Sequence, residues 1–169
     1  MNLFSSRLGL VAAGLLACTA SIAHESDQLP SHRSCPQLDP LTIGQLVAVR
    51  QATARYRNLD NAVHDGYVDI GLFVPMMGHH YLRSDLLDGE FDPQSPELLV
   101  YADRPDGSRQ LVAVEYAVPL ELSADAPEGF FGDADEWAIN NQFGLWTLHA
   151  WVWKRNPDGV FAAFNPRLP

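Results

Sequence analysis

The stretch LLVYADRPDGSRQLVAVEYAV, residues 98–118, decides the architecture. Its two apolar runs, residues 98–101 and 110–118, are rich in Val, Leu and Tyr, side chains that pack well on a pleated surface. Between them, Arg104-Pro105-Asp106-Gly107 places a proline where φ must be fixed and a glycine where positive φ is needed. The segment reads as a β-hairpin.

Working outward, residues 146–153 read as a further strand. Asn156-Pro157-Asp158-Gly159 reads as the next turn and residues 160–164 as a short closing strand. Residues 121–144 show no sustained period and read as a long loop with one short helix near Trp137. Upstream, residues 84–96 carry Asp85, Asp88, Gly89, Asp92, Pro93 and Pro96, a surface connection. Residues 67–74 are β-branched and aromatic and read as a strand leading into Pro75-Met76-Met77-Gly78-His79-His80-Tyr81, a loop or second strand. Before them, Leu46, Val49, Ala52, Tyr56, Leu59 and Val63 recur at helical steps behind Thr42, a plausible N-cap. Asn58, Asp60 and Asn61 weaken that helix near its middle, and Gly66 stops it. The fold class expected is α+β: an N-terminal amphipathic helix packed on an antiparallel β-sheet.

The chain has 169 residues, 47% hydrophobic and 19% charged, the profile of one globular domain. Twenty-one acidic residues against 11 basic ones give a formal charge of −10, which argues against nucleic acid or an anionic membrane face as partner. Residues 1–23 carry Arg7, an apolar run over residues 8–17 and the small-residue end Ser21-Ile22-Ala23, the pattern of a secretory signal peptide. That run is about half as long as a transmembrane helix needs to be, and no later stretch is long enough to span. Leu15-Leu16-Ala17-Cys18 offers an alternative, a lipoprotein signal over residues 1–17 with a lipidated Cys18. Either processing leaves Cys35 without an intramolecular partner, so the fold must rest on its core. Residues 24–40 read as a flexible tether and 41–169 as the single α+β domain. The expected location is periplasmic or secreted, or the outer membrane if Cys18 is the anchor.

Strand alternation places Thr147, His149, Trp151 and Trp153 on one face, and Leu111, Ala113 and Glu115 on one face of the hairpin strand. Glu115 is thus an acid among apolar neighbours, where a carboxylate needs a partner. His80, Glu115 and His149 form a ligand set suited to copper, zinc or iron, with His79 and Met77 as auxiliaries. His79 and His80 share a site only if the chain bends at Gly78. An alternative is a small-molecule pocket built from Tyr81, Trp151 and Trp153. In a third reading Glu115 and His149 satisfy each other in the core of a structural envelope protein. His64 fits the helix C-terminus electrostatically. Asp133-Ala134-Asp135-Glu136 lacks the glycine and terminal glutamate of a calcium loop. No phosphate loop, G-x-S-x-G elbow or H-E-x-x-H occurs, and no catalytic residue is assigned.

The segments Met77-Gly78-His79-His80-Tyr81, Pro96-Glu97-Leu98-Leu99-Val100-Tyr101, Leu111-Val112-Ala113-Val114-Glu115-Tyr116, and Leu148-His149-Ala150-Trp151-Val152-Trp153 continue into Asn156-Pro157 and Asn165-Pro166. Together they resemble a group of small exported bacterial proteins whose activity is not established. The resemblance covers roughly residues 54–168. It implies a bacterial origin and one domain, and carries no activity. In that group the first segment reads M-G-x-H-Y, so His80 matches while His79 occupies the variable position. Glu115 and His149 match as well. The resemblance therefore favours His80 over His79 within the pair.

Overall fold

The computed structural model describes residues 38–169. The signal sequence, Cys18, Cys35 and most of the tether lie outside the described residues. Helix α1 (Pro40–Thr53) leads through a 3-10 turn (Ala54–Arg57) to a short α2 (Leu59–His64). Strands β1 (Val68–Val74), β2 (Gly78–Leu82), β3 (Leu98–Asp103), β4 (Arg109–Pro119), β5 (Ala138–Asn140) and β6 (Leu145–Ala150) follow. They form one antiparallel sheet in the order β1-β2-β3-β4-β6-β5. The protein is α+β.

Local chemistry sets the helix limits. Asp39, not Thr42, caps α1 by accepting from the Leu41 amide at 2.8 Å. Thr42 is buried and its hydroxyl donates to the Phe131 carbonyl. The expected weakness at Asn58 is real, because Asn58 restarts the helix as the cap of α2. That restart shifts the helical phase, so Ala62 is buried where Val63 was expected. Helix α1 rests largely on loops: Gln45 accepts from the Phe131 amide, and Arg50 donates to the Val152 carbonyl.

The 104–107 turn forms as expected, closed by the Arg104 amide on the Ser108 carbonyl at 2.8 Å. Two expectations downstream fail. No helix forms near Trp137; β5 lies there instead, too short to display a period, and pairs with β6 across a turn containing Gly144. The strand expected to reach Trp153 ends at Ala150, and residues 160–164 form no strand. Past Ala150 the backbone is taken over by other partners: Trp151 donates to the Val160 carbonyl, and Trp153 and Lys154 both donate to that of Val112. The freed Val112 carbonyl marks an irregularity in the β3–β4 register, where two steps on β4 match one on β3. As a result Leu111 and Ala113 join different clusters, against the simple alternation expected of them.

The central strands β3 and β4 are buried on both faces, and the edge strands β1 and β5 are largely exposed. One face sets Tyr81, Leu99, Tyr101, Val114, Tyr116 and Leu148 against Val49, Ala62, Tyr67, Phe130 and Phe161. Three of these tyrosines satisfy their hydroxyls on backbone carbonyls: Tyr67 on Pro96, Tyr101 on Tyr56 and Tyr116 on Pro93, at 2.7–2.8 Å. Each bond ties the core to a connecting segment, and its loss would strand a buried acceptor. The other face carries Val100, Ala102, Val112, Ala113 and Trp151. Farther along that face lie the residues with chemistry. Among the described residues, no helix is long and apolar enough to cross a membrane.

Candidate metal centre

Strand β2 is regular from Gly78, so His79 and His80 point to opposite faces. Gly78 is required where it stands: its φ is +123°, and a Cβ would collide with the Tyr101 carbonyl. Across the β1–β2 pair, Asp69 opposes Tyr81 and Phe73 opposes His79, so four steps on β1 match two on β2. Gly71, at φ +71°, allows this bulge. The bulge brings the Leu72 carbonyl to His80 Nδ1 at 3.2 Å. A carbonyl only accepts, so Nδ1 carries the ring proton and Nε2 presents a lone pair. That Nε2 lies 3.4 Å from Glu115 Oε2.

Glu115 and His149 are register partners on β4 and β6. His149 Nε2 lies 3.7 Å from Glu115 Oε1, is fully buried and has no hydrogen-bond partner. Burial pushes the Glu115 carboxyl up to about 7, a shift that the His80 ring opposes only when it is protonated. Burial also drives His149 down to about 4 and lowers His80, with Glu115 opposing the latter. Near neutrality, the cluster is two neutral imidazoles and a carboxyl close to its ionisation point.

One donor atom from each of His80, Glu115 and His149 lies within 4.8 Å of the others. Two ligands about 2.1 Å from a tetrahedral ion stand about 3.4 Å apart. His80 Nε2 is at that distance from Glu115 Oε2 and His149 Nε2 is 3.7 Å from Glu115 Oε1, so side-chain movements within the 4.8 Å cluster would close the set on one ion. The His80 Nδ1 bond to a backbone carbonyl is the outer contact that metal-ligating histidines commonly make. The donor set fits a divalent transition metal. The three donors sit in a pocket of about 430 Å³ whose wall includes Ile70, Leu72 and Val74 of β1, with Leu82, Leu87 and Leu98 beside them. Met77 lines it too, as do Phe143 and Leu145 from the opposite edge of the sheet.

The remaining expected residues are dispersed. His79 is outside the cluster: its Nε2 meets Asp103 Oδ2 at 3.0 Å and its ring lies against Phe73. The regular strand removes the bend that a shared site would need. Tyr81 points to the helical face, edge-on to Tyr101, with its hydroxyl against Arg109. Trp151 lies nearly parallel to His149, ring centres 6.3 Å apart, and donates to the Ala162 carbonyl. Trp153 lies under Arg50 and donates to Thr53 Oγ1. The three aromatic residues therefore line no common pocket: Tyr81, next to His80 on β2, takes the opposite face, and the chain leaves the sheet after Ala150, before both tryptophans.

Sequence reasoning missed the aliphatic wall and Glu97. Glu97 is buried, accepts from the Ala117 amide at 3.0 Å, and is pushed by burial up to about 8. Gly71 inside an apolar strand was the readable sign of the bulge. In comparisons with known proteins the chain matches no family model, no curated protein and no solved structure.

Proposed function

We propose that this is an exported bacterial protein that binds one transition-metal ion through His80, Glu115 and His149. One observation carries the metal reading: His149 Nε2 is buried without a partner and aimed at two further donor atoms. A buried polar nitrogen left unpaired costs stability, and a metal ion accounts for it. Two imidazoles and one carboxylate suit zinc or iron(II), ions that commonly leave a position open to a further ligand in such sites. Met77 on the pocket wall adds a soft donor and keeps copper as a third metal to offer. The export reading rests on the pattern of residues 1–23, and mass spectrometry of the mature chain tests it by finding His24 as the first residue, or lipid on Cys18.

The test of the metal reading is elemental analysis of untagged protein beside His80→Ala and His149→Ala. Near-stoichiometric zinc, iron or copper, lost in both variants, is the expected result. Metal retained in full by either variant, or absent after all three metals are offered, overturns the assignment.

A further inference from the structure

The pocket over the three donors has chemistry of its own. At about 430 Å³ it falls within the roughly 300–1,000 Å³ of small-molecule sites. Its walls come from both edges of the sheet, Ile70 and Leu72 on β1 facing Phe143 and Leu145 beside β5. Ile70 and Phe143 are also exposed, which places them at the mouth. Asn140, Gln142 and Thr147 add uncharged polar groups on the β5–β6 side. Glu115 is the one acid in the lining, and no Lys or Arg is present to receive an anion.

We infer that this pocket binds an uncharged, mainly aliphatic small molecule bearing one oxygen function. Its chain lies against Leu72, Leu82 and Leu98, and its oxygen faces His80, Glu115 and His149. The inference deepens the metal reading and rests on it for the group that the oxygen meets in the loaded protein. In metal-free protein the unpartnered His149 nitrogen serves the same end. In that metal-free form an anionic head would meet the Glu115 carboxyl with no Lys or Arg in the lining to offset it.

The experiment is calorimetric titration of 1-octanol, octanoate and octylamine into the full chain, zinc-loaded and after chelator dialysis, with zinc measured on the same samples. Octanol is expected to bind both forms with a negative heat-capacity change, the marker of apolar burial. Octanoate is expected to bind the metal-free form at least tenfold more weakly. Phe143→Asp and Ile70→Asp, at exposed positions of the pocket lining, are each expected to weaken octanol binding at least tenfold in protein that remains folded by circular dichroism. No octanol binding in either form overturns the inference while the zinc measurement judges the metal reading separately. Octylamine binding more tightly than octanol also overturns it, because Glu115 would then be the counter-ion of a cationic ligand.

Discussion

Glu115 and His149 stand directly opposite each other across β4 and β6, both buried, with Glu115 Oε1 3.7 Å from His149 Nε2. That separation is too long for a hydrogen bond, and the nitrogen has no other partner. Two polar side chains that merely satisfied each other in a core would close the gap. Held apart on adjacent strands, with the His80 ring fixed by the Leu72 carbonyl, they are spaced to share a third atom between them.

Glu115→Gln is expected to separate stability from binding. The metal-free protein holds a buried carboxyl whose ionisation burial opposes, with its pKa raised to about 7. At pH of about 8 the isosteric amide should make the metal-free fold more stable by about 1–3 kcal/mol. Metal binding should be lost in the same variant. Thermal melts of both proteins with and without zinc check this, and a destabilised metal-free variant would count against an uncompensated charge at the site.

Metal uptake should depend on pH through the same carboxyl. Coordination needs the ionised form, so affinity is expected to fall about tenfold per pH unit below about 7 and to level off above it. His149, pushed down to about 4, stays neutral across that range and adds no second proton. Zinc titrations in two buffers of different ionisation enthalpy count the protons released. Release approaching two per ion near pH 7 would contradict the neutral histidines.

Much of the sheet was legible because its signals are local. Pro105 and Gly107 mark the hairpin, and the apolar runs on either side give β3 and β4. Glu115 stood out as an acid within such a run. Gly71 signalled the bulge that carries Leu72 to His80, but not the partner it would meet. What the sequence hid more fully depends on partners far along the chain: the two-for-one step at Val112 and the exit of the chain after Ala150 are tied together by the Trp153 and Lys154 amides on the Val112 carbonyl. The tryptophan pocket failed for that reason: alternation holds only while the strand lasts. The aliphatic wall was hidden because its residues come from opposite edges of the sheet and join only in three dimensions.

Gly78→Ala should disable the site from a distance. The substitution forces a Cβ against the Tyr101 carbonyl at a φ of +123°, and the β2 backbone must move to relieve it. A loss of about 2–4 kcal/mol is expected from the clash and the strained dihedral together. Because His80 lies two residues on, zinc affinity should fall as well, in protein that remains folded by circular dichroism. Gly107→Ala is the control: it also has positive φ, with open space around its Cβ position, so it should cost less and leave zinc affinity unchanged.

Glu97 sets a separate pH dependence. The Ala117 amide on β4 meets no backbone acceptor from Pro96–Glu97 but takes the Glu97 carboxyl, buried at the end of β3. Burial raises this group from its ordinary 4.5 to about 8, so across that window the folded chain binds more protons than the unfolded one. Its contribution is therefore fully present below about 4.5 and is lost as pH rises toward 8. The expected fall is about 2–4 kcal/mol over the window. Glu97→Gln keeps an oxygen for the Ala117 amide and removes the titration. Denaturant unfolding of metal-free Glu115→Gln protein, with and without Glu97→Gln, isolates the effect. The slope between pH of about 6 and 8 should flatten in the double variant, and an unchanged slope would place the titrating group elsewhere.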